Sequence, residues 1–137
     1  HSQNVFRVGN FDPVLSKFTL KVIGGRVTPT KVDVETKTNT PQGEAKLGGA
    51  VYGIYKVDGT RVGSVTTKDD GTNTSDYLPE LGRFYLLEEQ PSEGYLLDSN
   101  KYYFEITENN LNPHVQVYEQ VIKLDFEFTK VLVLKLK

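Results

Sequence analysis

Apolar and polar residues alternate with period two in short runs along this chain, and no long stretch repeats at helical spacing. Successive side chains of a strand point to opposite faces, so this alternation marks half-buried strands. Phe18, Leu20 and Val22 alternate with Thr19 and Lys21, and residues 51–57 read VYGIYKV. Phe84, Leu86 and Glu88 share one face, with Tyr85, Leu87 and Glu89 on the other. Tyr102, Phe104 and Ile106 point one way, Val115, Val117 and Glu119 continue the theme, and Phe126 and Phe128 begin an alternation that runs to Leu136. Turn-forming clusters separate the runs: Asp58-Gly59, a tight-hairpin signal, and residues 69–73, 91–94 and 107–113. The expected fold is all-β, an antiparallel sandwich.

Composition narrows the function. The 137 residues suit one domain, large enough to bury a core without staples. Lys and Arg number 16 against 18 Asp and Glu, a net charge of -2, so no basic excess exists to bind phosphate backbones and no nucleic-acid partner is expected. No window approaches the roughly 20 apolar residues that span a bilayer, so no membrane insertion is expected in this segment. No signal peptide is visible, which reads as a mature chain or an excised fragment. Cysteine is absent, which excludes disulfides and thiolate metal sites.

Chemistry-bearing motifs are few. His1 is terminal and His114 sits in a predicted loop without ligand spacing, so no metal is expected. No glycine loop suits a phosphate and no cofactor is expected. None of the six serines lies in a nucleophile-elbow context, so the chain is not read as an enzyme that turns over substrate. The eight tyrosines suit sandwich cores and interfaces, or a carbohydrate- or protein-binding face.

One internal echo bears on organisation. Thr30-Lys31-Val32-Asp33-Val34 resembles Thr129-Lys130-Val131-Leu132-Val133, about one small domain apart. Residues 1–25 are read as an N-terminal strand or the end of a preceding module, 26–122 as the sandwich, and 123–137 as a terminal strand. That last strand is either the start of a next module or a donor to a neighbouring subunit.

Four segments in fixed order carry a family resemblance: KVDVETK at 31–37, LGGAVYGIY at 47–55, the Asp58-Gly59 hairpin with TTKDDG at 66–71, and LGRFYLLEEQPSEGYLL at 81–97. Over residues 31–119 the chain resembles the collagen-adhesin B-type (SpaA-like, Cna-B-like) domain of Gram-positive surface adhesins and pilins. Gly82, Phe84, Leu86, Glu88 and Gly94-Tyr95 fit the register of the family's last motif, and Pro91 sits one place early.

The resemblance implies a transthyretin-like or Ig-like sandwich with extra N- and C-terminal strands, used as a structural module on the bacterial cell wall. It further implies a self-made isopeptide bond between a lysine on the first strand and an Asn or Asp on the last, with a carboxyl between them. Carried across, Lys31 is the amine and Glu88 the proton shuttle. Burial lowers a lysine's pKa and raises a glutamate's, giving a neutral nucleophile beside a protonated acid. The sequence departs from the pattern at the acyl partner, where Glu119 stands, one methylene longer. Asn109, Asn110 and Asn112 could serve only after a register shift, and Asp125 lies beyond the strand. Read without the family, Lys31 is a surface lysine beside Asp33. The expected partners are neighbouring modules or subunits; the alternative is an adhesin domain recognising host matrix protein or glycan.

Overall fold

The computed structural model describes residues 20–123. Phe18, Asp125, Lys130 and the alternating run from Phe126 to Leu136, with the donor-strand expectation built on it, lie outside those residues. Among the described residues, six strands form in chain order: β1 (Thr28–Asp33), β2 (Val51–Lys56), β3 (Arg61–Thr66), β4 (Gly82–Gln90), β5 (Tyr102–Ile106) and β6 (His114–Glu119). They make a four-stranded sheet of order β3-β2-β4-β5 and a two-stranded sheet, β1-β6.

All pairings in the larger sheet are antiparallel. Its hairpin turn forms where Asp58-Gly59 predicts it, with the Asp58 carboxylate accepting from the Thr60 amide at 2.9 Å. The β1-β6 pair is parallel, with Lys31 opposite Val117 and Asp33 opposite Glu119. Parallel strands need a long crossover, and here the entire four-stranded sheet lies in the connection between them. Leu20 and Val22 belong to no strand and stand exposed, so the alternation does not build one over residues 20–22. A run of alternating residues makes a strand only where a sheet edge accepts its backbone. His114 is not a loop residue but the exposed first residue of β6.

The two sheets bury their facing sides against each other. Tyr52 and Ile54 of β2, Val65 of β3, Phe84 and Leu86 of β4, Phe104 and Ile106 of β5 and Val117 of β6 form one cluster, joined by Val27, Ala50 and Leu78. Burying each large apolar side chain contributes about 1.5–3 kcal/mol. Phe84 and Phe104 stack across neighbouring strands at 5.6 Å between ring centres. On the outer face, Tyr55, Tyr85 and Tyr103 form a ladder with ring centres 5.2 and 5.4 Å apart, capped by Lys101 over Tyr85 and Arg83 over Tyr103.

A smaller cluster of Ala45, Leu47 and Tyr95, with Val121 against it, closes one end of the sandwich. That end, where β1 and β6 finish, holds the buried charges.

Candidate functional site

Three ionisable side chains of opposite sign meet inside this end of the sandwich. Lys31 is fully buried, Glu119 is 1% exposed and Glu88 4% exposed. Inward alternation places each one. Lys31 and Glu119 are diagonal neighbours on the same face of the parallel pair, since Lys31 lies opposite Val117 two residues away. Glu88 follows Phe84 and Leu86 on the inner face of β4, while Glu89 points out to pair with Arg61 at 2.8 Å. The Lys31 Nζ lies 3.6 Å from Glu119 Oε1.

The surroundings hold each group in place. The Lys31 ammonium donates to Ser92 Oγ and lies 4.2 Å from the centre of the Tyr95 ring. Tyr95 in turn donates to Asp33 Oδ2 at 2.9 Å. Glu119 Oε2 accepts from the Tyr52 hydroxyl at 2.9 Å, and Glu88 Oε1 accepts from the Asp98 amide at 2.8 Å. Glu88 Oε2 and Glu119 Oε1 are buried with no donor among the described residues. Two unpaired carboxylate oxygens in an apolar interior are costly, and a proton on either carboxyl relieves the cost.

The electrostatics follow from that enclosure. Burial lowers the Lys31 pKa, against the opposing pull of Glu119, Glu88 and Asp33. Burial pushes Glu88 up to about 8, helped by the Glu119 charge and opposed by the Asp98 amide and Lys31. Glu119 is also raised by burial, against Lys31, Glu88 and the Tyr52 hydrogen bond. Asp33 goes the other way. Burial disfavours its charge, but donors from Gln42, the Thr36 and Glu35 amides and Tyr95 together outweigh that and keep it ionised. The site therefore holds a lysine biased toward the free amine beside two carboxyls biased toward the acid.

The motifs of the sequence converge here. The Gly71 carbonyl accepts the Lys31 amide at 2.8 Å, and its backbone (φ +84°) passes close to Leu47 and the Lys31 stem. Thr67 Oγ1 donates to the Leu47 carbonyl at 2.7 Å and accepts from the Ala50 amide at 3.0 Å, tying the LGGA segment to the Thr66–Gly71 turn. Gly94 has φ +90° and no room for a side chain, because a Cβ would stand 2.7 Å from the Ala45 Cβ. That close turn swings Tyr95 over Lys31.

The alternative acyl partners lie elsewhere. Asn112 accepts from Thr28 Oγ1 at the opposite end of β1, and Asn110 closes the 107–110 turn with Thr107. Asn109 belongs to that same turn. Sequence reasoning did not single out Tyr52 or Ser92, and it named Tyr95 only as part of the family's last motif, with no role at the site. Tyr52 carried a signal of its own: it shares the inward face of β2 with Ile54, and a buried hydroxyl needs a partner. Among the described residues, no group of three or more His, Asp or Glu is placed to hold a metal ion, and no helix is long and apolar enough to cross a membrane.

No curated protein sequence matches the chain. Among solved structures it is similar to the Bacillus anthracis TIE protein, at 28% identity and a TM-score of 0.59, over 73% of this chain and 18% of that one. It is similar to a Streptococcal ancillary pilin at 26% identity and a TM-score of 0.54, over 76% and 31% of the two chains. The group B streptococcus pilus 2b backbone protein shares the fold at 22% identity and a TM-score of 0.62, over 84% and 46%. The chain thus spans less than half the length of each of these proteins. Residues 25–121 match the SpaA family, described as a prealbumin-like fold domain, and the chain belongs to that family.

Proposed function

We propose that this chain is a structural module of a Gram-positive surface protein or pilus, exported to the cell wall. In this reading an intramolecular isopeptide bond between Lys31 and Glu119 locks the module. Neighbouring modules or subunits are its partners. Residues 26–122 form the load-bearing unit, with 1–25 and 123–137 leading from and into its neighbours. The observation that carries the reading is the fully buried Lys31 amine 3.6 Å from a Glu119 oxygen that has no other partner among the described residues, with Glu88 beside both. Similarity to pilins and to a family of prealbumin-like domains supports the structural role.

The chemistry is a single condensation. The neutral Lys31 amine attacks the carbon of the protonated Glu119 carboxyl, whose own proton stays on the departing oxygen. One amine proton passes to Glu88, and the Glu88 proton passes to the departing oxygen, which leaves as water. Glu88 ends as it began, and nothing turns over. Strand packing supplies the proximity that makes the reaction feasible, since the two groups meet without an encounter step.

The test is the intact mass of the denatured chain. A mass about 18 Da below the calculated value, restored in Lys31→Ala, is the expected result, one water being lost. The calculated mass in the parent chain would leave Lys31 and Glu119 a buried ion pair and sink the cross-link.

A further inference from the structure

Glu119 is held by both oxygens in different ways, and this asymmetry assigns each a fate. Oε1 faces the Lys31 amine and has no hydrogen-bond donor among the described residues. Oε2 receives the Tyr52 hydroxyl at 2.9 Å. Tyr52 and Glu88 are direct cross-strand partners on the inner face of the β2-β4 pair, so a phenol and a carboxyl stand side by side against one glutamate. Tyr52 is fully buried, its ring packed in the main core cluster. Its hydroxyl makes no hydrogen bond besides the one to Glu119 among the described residues.

We infer that Tyr52 is the oxyanion donor of the Lys31–Glu119 condensation. It holds Oε2 as the oxygen retained in the amide, while Oε1, beside the Lys31 amine, is the oxygen that leaves. This rests on the cross-link proposed above. When Nζ adds to the carboxyl carbon, negative charge develops on the oxygen that is not protonated for departure. A fixed hydroxyl in a dry site stabilises that charge without having to reorganise. The phenol stays neutral through the reaction, because burial, with Glu119 and Glu88 nearby, raises its pKa far above the usual tyrosine range. After condensation Tyr52 remains hydrogen-bonded to the new amide carbonyl, so the product keeps the contact. The same contact bears on the choice of acyl residue. A side chain one methylene shorter at position 119 would draw its carbonyl back from a hydroxyl whose ring is fixed by core packing.

The experiment follows the reaction during cell-free synthesis of the whole chain, with samples denatured at intervals and weighed intact. Wild type loses about 18 Da as it folds. Tyr52→Phe keeps the ring and removes only the donor, and its loss of water is expected to slow by about 10²–10³-fold, the usual effect of deleting one oxyanion donor. Replacing Tyr52 by 3-fluorotyrosine, a stronger donor of nearly the same shape, is expected to speed the loss and covers the case in which the Phe variant does not fold. Water loss at the wild-type rate in a folded Tyr52→Phe chain, or no change with 3-fluorotyrosine, overturns the role of Tyr52 and leaves the cross-link standing. A wild-type chain that keeps its calculated mass throughout overturns both.

Discussion

Lys31→Met keeps an unbranched apolar stem in the core and removes the amine, so it separates the worth of the covalent bond from the worth of the packing. Lys31 and Glu119 lie 88 positions apart (119 − 31). Cross-linking over a loop of that size removes enough unfolded-state entropy to stabilise the fold by about 4–5 kcal/mol. The lost charge adds little, because Glu88 and Glu119 both lean toward the uncharged acid and are not stranded as anions when the amine goes. For a chain of this size that difference corresponds to a drop in Tm of roughly 15–20 °C. Scanning calorimetry on wild type and Lys31→Met measures it, with intact mass run on the same samples. Glu88→Gln, which keeps the amine and the acyl group but not the proton shuttle, should remain unlinked and melt near the Met variant. A wild type about 18 Da light that melts within about 3 °C of Lys31→Met would refute the loop-entropy reasoning.

Glu119→Gln replaces the leaving water by ammonia but yields the same Lys–Glu amide, so its finished mass should coincide with that of finished wild type. An unlinked Gln variant beside a linked wild type would place the acyl group elsewhere. Stability should depend on pH in the unlinked Lys31→Met chain. Glu88 is raised from an ordinary value near 4.5 to about 8 in the fold, so between those values the folded state binds more protons than the unfolded one. Stability is then full below pH 4.5 and lost as pH rises toward 8, by up to about 1.4 kcal/mol per unit for this carboxyl. Urea midpoints that rise across this window would contradict that sign. Gly94→Ala forces a Cβ to 2.7 Å from the Ala45 Cβ at φ +90°, and should cost about 1–3 kcal/mol in urea unfolding while slowing water loss, because Tyr95 shifts off Lys31. A variant as stable and as quickly linked as the parent would show that the Gly94–Ala45 approach does not position Tyr95.

The larger sheet was legible because its information is local. Period-two alternation in 51–57, 84–89 and 102–106 names the inward residues directly, and a hairpin follows from Asp58-Gly59. Glu88 falls on the inward face for the same reason as Phe84 and Leu86. Direction of pairing is not local, and alternation reads the same for parallel and antiparallel strands. The β1-β6 contact was therefore invisible as a parallel pair, although it decides that Lys31 meets the side chain two residues beyond its register partner. That diagonal offset gives a physical reason for Glu119, since the longer glutamate reaches across it. Tyr95 was legible as part of a motif, but its place over Lys31, like that of Ser92, was not. They come from a turn whose path depends on Gly94 pressing against Ala45, a contact between segments far apart in sequence.

The same parallel pairing fixes what the proposed Lys31–Glu119 bond would do under load. The chain enters the module at the start of β1 and leaves it at the end of β6, and because the strands run the same way these points lie at opposite ends of the pair. Tension on the two ends therefore shears β1 along β6. Without a bond, the hydrogen bonds of one six-residue pair carry the whole force, and once they yield the four-stranded sheet follows. With Lys31 joined to Glu119, tension passes from backbone to side chain and back through one amide. All of β2 to β5, residues 51 to 106, then lies off the load path. In the proposed reading, the core cluster keeps the reacting groups buried and aligned while the bond forms, and the bond afterwards relieves that core of mechanical work. Such a division would let the sandwich tolerate ordinary marginal stability while the chain through it behaves as an inextensible link.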